Sequence, residues 1–134
     1  MYAVLVEGGD LDEPIADEVR GVLDGHIVLS RAIAERGLFP AVDVPASISR
    51  VMPKLVPEAH RHAARRLTAA LAALEEKRDL IALGAYEKGS DPMVDRALAC
   101  RSEIEAFLGQ ASETCVSSQQ AVERMTQLVR NANL

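Results

Sequence analysis

From Pro57 onward, Ala59, Ala63, Leu67, Ala70, Leu71 and Leu74 recur at helical spacing, with Arg, Glu and Lys between them. An apolar stripe of that period is satisfied by an amphipathic helix whose one face is buried, and by little else. Pro57 suits a first helical turn, where its missing N–H costs nothing. The helix is predicted to run to about Lys77, with a brief restart from Asp79 to Leu83. Gly84-Ala85-Tyr86-Glu87-Lys88-Gly89-Ser90 breaks the pattern, and Asp91-Pro92 opens the next helix. That helix carries Val94, Ala97, Leu98, Ile104, Phe107 and Leu108, with a bend near Cys100-Arg101. A last helix, about Ser117 to Asn131, buries Val122, Met125, Leu128 and Val129. This second half reads as a small antiparallel helical bundle. Aromatic residues make up 3% of the chain and Trp is absent, so its core is aliphatic and rich in Ala and Leu.

The first half has a different texture. Tyr2 to Val6 reads as a buried strand ended by Glu7-Gly8-Gly9-Asp10, and Asp12-Glu13-Pro14 opens a short helix to about Val22. Ile27 to Leu29 is a second short apolar run of β type after the Asp24-Gly25 turn pair. A short helix from Ser30 to Arg36 follows, with Ser30 placed to cap it and Gly37 to end it. Residues 37 to 57 read as connector, wound by Pro40, Pro45 and Pro53, and they deliver Arg50 after Ser47-Ile48-Ser49. Two strands and two short helices do not close an α/β sheet, so residues 1 to about 53 read as the tail of a domain.

Several classes of function fit poorly. A net charge of −5 argues against a nucleic-acid surface, and no apolar run approaches the ~20 residues of a membrane span. Cys100 and Cys115 are too few for a disulfide framework and lack metal-ligand spacing. They read as reduced thiols of a soluble, cytoplasmic protein without a signal peptide. His60 and His62 stand two apart on a helix and therefore diverge. Lys54, Arg61, Arg65 and Arg66 form a modest basic patch that a solvated helix face explains.

The motifs LDGHIVLSR, Phe-Pro-Ala-Val-Asp at residues 39–43, and SISRVMP resemble, in the same order, the end of the nucleotide-binding domain of the hexameric F-type/type III secretion ATPase family. The likeness continues through the helical remainder. It implies a mainly α chain: a C-terminal antiparallel helical bundle (56–134) preceded by the truncated end of a RecA-like α/β nucleotide-binding domain (1–55). DGHIVLSR, ASISRVMP and GAYEKGSDP together resemble the flagellar and virulence export branch more than rotary ATP synthase subunits. Ser112-Glu113-Thr114-Cys115 leans towards the virulence group.

By this resemblance Arg50 is an arginine finger that reaches the nucleotide of a neighbouring subunit, where a planar guanidinium neutralises charge spread over phosphoryl oxygens. A connector arginine paired with a carboxylate such as Asp43 is the alternative. Phe39 and Phe107 fall on positions assigned to the adenine pocket, since flat rings sandwich a base well; ordinary core packing is the alternative. Arg31 is placed to support the phosphate region or to make a structural ion pair. Asp10 and Asp12 resemble a loop near the catalytic site. Tyr86, Glu87 and Lys88 lie on a loop similar to the one that touches the family's central stalk; a surface loop with no partner is the alternative.

The resemblance further implies ATP and Mg²⁺ as cofactors of a full-length homohexamer, acting on export chaperone–substrate complexes at an inner-membrane gate, and no nucleic-acid partner. No G-x-x-x-x-G-K-[ST] sequence occurs, so no phosphate cradle exists here and no ATP hydrolysis or cofactor is expected of the chain alone. Residues 2 to 29, cut from a larger sheet by truncation or gene splitting, are expected to be disordered, rearranged or paired with another copy. A helical adaptor without catalysis, or a fragment of a rotary ATP synthase subunit, remain the rival readings.

Overall fold

The computed structural model describes residues 3–6 and 14–134. It is mostly helical, with one two-stranded antiparallel sheet among the described residues. Helix α1 (Pro14–Val22) starts on its proline, as the sequence predicts, and buries only Ala16. Strand β1 (Gly25–Leu29) and helix α2 (Arg31–Glu35) also stand close to their predicted places. The expectation of a strand at Tyr2–Val6 is corrected: residues 3–6 are irregular, and Ala3, Val4 and Leu5 are exposed. An apolar run has no ladder to join unless a neighbour offers one, and the described sheet is β1 with one partner. Asp10, Asp12 and Tyr2 lie outside the described residues. Helix α1 and strand β1 are regular structure, and β1 pairs with β2 of its own chain, which corrects the expected disorder for that part.

The stretch predicted as connector holds a second strand, β2 (Val42–Ser49), and a turn of helix, α3 (Met52–Leu55). β2 runs antiparallel to β1, with Gly25 opposite Ser49, His26 opposite Ile48, Val28 opposite Asp43 and Leu29 opposite Val42. The register leaves Val44–Ala46 and Ser47 bulged against the single residue Ile27. Pro45 sits in this bulge, where no ladder bond requires its missing N–H. Side chains close the gap: Ala46 N donates to Asp43 Oδ1 (3.0 Å), the Ser47 hydroxyl donates to Asp43 O (2.6 Å), and Val28 N donates to Ser47 Oγ (3.0 Å).

Helix α4 (Glu58–Glu76) matches its predicted span, though Pro57 stands at the N-cap rather than in the first turn. Ala59 faces solvent in that first turn, ahead of the buried Ala63, Leu67 and Ala70. Lys77, at φ −99° and ψ 7°, separates α4 from α5 (Arg78–Ala82). Then come α6 (Pro92–Ala99), α7 (Arg101–Leu108) and α8 (Ser118–Asn131), with the predicted bend at Cys100. Asp91 caps α6 through Met93 N and Val94 N, and a Ser117–Gln120 capping box starts α8. Ser30 occupies the N-cap of α2 but makes no side-chain cap bond.

Helices α2, α5 and α8 end alike. In each, the residue after the cap has positive φ (Gly37 at 77°, Gly84 at 69°, Asn133 at 50°), and the next amide bonds back to Ile33, Leu80 or Val129. In α8 this turn tucks Leu134 beside Val129 in the core.

That core gathers Ala63, Leu67 and Ala70 of α4, Ala97 of α6, Cys100, Ile104 of α7, and Met125 and Val129 of α8. Ala70, Val94 and Ala97 have no exposure and Ile104 has 1%. Small residues at these positions let α4 approach its neighbours closely. Val122 and Leu128 are only half-buried.

Replacing Ile104 with Ala leaves a void where every neighbour is packed, and should cost about 2–5 kcal/mol in urea unfolding. Leu83→Ala, at a position 80% exposed, should change stability by no more than about 0.5 kcal/mol. Equal effects would contradict the assigned core.

Candidate functional site

Arg50 stands at the end of β2, and its backbone is pinned before its side chain is considered. Arg50 N donates to Asp24 O at 2.8 Å, closing the mouth of the β1–β2 ribbon. Beside it the strands approach so closely that a Cβ on Gly25 would stand 2.6 Å from Ile48 O and 3.2 Å from Ser49 Cα. Backbone atoms cannot yield as a side chain would, so only glycine fits. Asp24-Gly25 reads in sequence as a turn pair; the structure adds that the glycine admits the opposing strand.

The Arg50 guanidinium is exposed and folds back on the last turn of α1, donating from Nη1 to Gly21 O (3.1 Å) and from Nη2 to Arg20 O (3.4 Å). Carbonyls at a helix C-terminus lack intrahelical partners and carry partial negative charge, so a cation settles there. Asp43, the alternative partner, instead holds Ala46 N. Guanidinium has five N–H donors, and these two bonds leave others for an anion. Arg31 is exposed on the first turn of α2, across the ribbon.

The two phenylalanines have different surroundings. Phe39 is 56% exposed in the loop between α2 and β2, and the Phe39–Pro40 peptide is cis. Phe107 is half-buried on α7 and packs against the helical core. The chain brings their segments together through one backbone bond, from Gln110 N to Phe39 O at 2.7 Å. Nothing in the sequence marks Gln110 for this role. A cleft of about 1010 Å³ opens nearby between the α2–β2 segment and helices α4, α5 and α7. Leu38 and Leu108 line it, but Phe39 and Phe107 do not.

The loop at 84–91 is held in shape from within. The Tyr86 hydroxyl lies 3.1 Å from both Asp91 O and Asp95 Oδ1, and Gly89 N donates to Asp95 Oδ2 at 2.8 Å. Tyr86 is thus half-buried against its own loop, while Glu87 and Lys88 remain exposed. Asp95 went unmarked in the sequence, because one carboxylate on a polar helix face gives no signal there.

Other candidates have local roles. Arg61 donates to Pro53 O at 2.7 Å and pairs with Glu58, which ties α3 to α4. Cys100 is buried, and desolvation pushes its thiol above the ordinary value, so the thiolate needed for nucleophilic chemistry is disfavoured. Among the described residues no three His, Cys, Asp or Glu side chains are grouped to hold a metal ion.

Residues 56–127 match the family described as T3SS EscN ATPase C-terminal domain, and residues 1–49 match the ATP synthase alpha/beta family, nucleotide-binding domain. The flagellum-specific ATP synthase of Treponema pallidum is 48% identical over 127 residues, 95% of this chain and 28% of that protein. The type 3 secretion system ATPase of Pseudomonas syringae pv. syringae is 45% identical over 128 residues, 96% of this chain and 28% of that protein. The chain thus spans under a third of these relatives. The assembled ATPase EscN of enteropathogenic E. coli superposes with a TM-score of 0.87 at 39% identity, over 96% of this chain and 31% of that one. EscN in complex with its central stalk EscO gives 0.80 at 40% identity, over 87% and 29%.

Replacing Asp95 with Ala removes the carboxylate that meets both the Tyr86 hydroxyl and Gly89 N. Amide exchange at Gly89 should accelerate at least about tenfold, with a stability loss of about 1–3 kcal/mol. Unchanged protection at Gly89 would show that the carboxylate does not hold the loop.

Proposed function

We propose, because the chain belongs to the type III secretion ATPase family, that it is the C-terminal part of a cytoplasmic protein-export ATPase that couples ATP hydrolysis to chaperone release and substrate unfolding. Its relatives carry names of flagellar and type III secretion ATPases, which supports the general role. In this reading the working protein is a homohexamer, peripheral to the inner-membrane export gate. The helical half (56–134) faces the central stalk and the chaperone–substrate complex. The solved relatives include an assembled ATPase and one bound to its stalk, which supports an oligomer and a stalk partner.

The observation that carries the reading is the placement of Arg50. Its backbone is locked by Asp24 O and by the close approach at Gly25, whereas its guanidinium is exposed and rests on two carbonyls. A fixed base with a releasable head suits a group that must reach another subunit. In phosphoryl transfer the charge on the equatorial oxygens grows towards the transition state, and a planar cation stabilises it more than the ground state. Phe39, exposed on its loop, and Phe107, on the helical core, would hold the adenine of their own subunit. Arg31 lies on the same half of the molecule and would support the phosphate region through its neighbours. Glu87 and Lys88, displayed by a braced loop, would meet the stalk.

The chain lacks the G-x-x-x-x-G-K-[ST] cradle, so the cycle requires the phosphate-binding half of the parent. The helical half has its own closed core, which favours a non-catalytic adaptor as the second reading.

The two separate in the longer polypeptide. There Arg50→Ala should lower kcat by about 10³–10⁵-fold while leaving nucleotide Kd nearly unchanged. A kcat equal to that of the unmodified protein removes Arg50 from the reaction and leaves the adaptor reading.

A further inference from the structure

The bond from Gln110 N to Phe39 O, at 2.7 Å, joins two segments 71 positions apart and belongs to no helix or strand. We propose that the Gln110 backbone amide is a positioning group for the aromatic loop, fixing the Phe39 ring relative to Phe107 at the end of α7. This rests on the reading of Phe39 and Phe107 as the base-facing pair.

Three features make the bond a determinant rather than a bystander. First, Phe39 is 56% exposed, so packing alone holds its ring loosely and its backbone must define where it stands. Second, the donor is anchored. Gly109 N closes α7 on Glu105 O at 2.8 Å, and Phe107 and Leu108 pack against the core just before it. Third, the junction is sterically tight: a Cβ at Gly109 would stand 3.1 Å from both Glu105 O and Leu38 Cδ1. Gly109 thus lets the segment lie against Leu38, next to the residue whose carbonyl is bound. The acceptor side is tied as well, by Leu38 N to Ile33 O and by Val42 N to Pro40 O. A path of covalent and hydrogen bonds therefore runs from the helical core, through Gln110, to the loop that carries Phe39. Movement of α7 would be delivered to the ring through that path.

The test uses the 134-residue chain in solution NMR with adenosine as the probe, because adenosine needs no phosphate cradle. Gln110→Pro deletes the donor. Gly109 already has φ −80° and ψ 140°, the extended region that a residue before proline prefers. Gln110→Ala keeps the amide and serves as the conservative control. In the unmodified chain and Gln110→Ala, adenosine should shift the Phe39 ring resonances with the same midpoint. In Gln110→Pro those resonances should be displaced before any ligand is added, and the midpoint should rise at least about tenfold, with the Ile104 methyl signals in place. The Gln110 amide of the unmodified chain should exchange at least about tenfold more slowly than an open amide.

Gln110→Pro with unshifted Phe39 signals and an unchanged adenosine midpoint would overturn the proposal. Adenosine that moves neither ring in the unmodified chain would instead overturn the base-facing reading, and Phe39 displacement with amide exchange would still decide whether the Gln110 amide positions the loop. Should Gln110→Pro lose the Ile104 signals, the exchange rate decides alone: an unprotected amide sinks the proposal.

Discussion

The chain is organised around the buried stripe of α4. Ala63, Leu67 and Ala70 lie on one face, where the two alanines let neighbouring helices come close around Leu67. Ala70 and Ala97 are both wholly excluded from water, so backbones rather than long side chains set the spacing. A close-packed interior responds to every added or removed methylene. The same helix touches β2 on another side, so the ribbon that carries Arg50 is referenced to the core through α4.

The ribbon solves a different problem. A two-stranded sheet is marginal by itself in water, and this one also carries a bulge. It closes with local polar bonds: the Ser47 hydroxyl bridges Val28 N and Asp43 O, and Arg50 N reaches Asp24 O. Close approach at Gly25 removes slack where the arginine emerges. The proposed finger thus combines a rigid base with a side chain resting on weakly held carbonyl contacts. The 84–91 loop shows the same division, since Asp95 braces its interior and leaves Glu87 and Lys88 outward.

The helices were legible because their apolar period is long and their ends are marked by proline, aspartate, serine or glycine. Strand β2 was not, because Pro40 and Pro45 read as breakers. Only the register shows that Pro45 falls in a bulge, where strand pairing asks nothing of it. Residues 3–6 depart in the opposite direction: a strand-like composition predicts a ladder, but a ladder needs a partner that local sequence cannot supply. Arg50, Phe39 and Phe107 were singled out by resemblance in ordered motifs, not by periodicity. Two supporting groups, Gly25 beside Arg50 and the Gln110 amide beside Phe39, act through backbone proximity between segments distant in sequence, which no local pattern encodes.

Arg50 is proposed to serve a neighbour's nucleotide. Mixing two inactive forms of the longer protein tests this most directly: one carrying Arg50→Ala, the other with its phosphate-binding lysine replaced. If the arginine acts across the subunit boundary, mixed assemblies contain interfaces with both groups intact, and ATP turnover should reappear well above either form alone. If mixing restores none although the subunits co-assemble, Arg50 does not act in trans and the central claim fails.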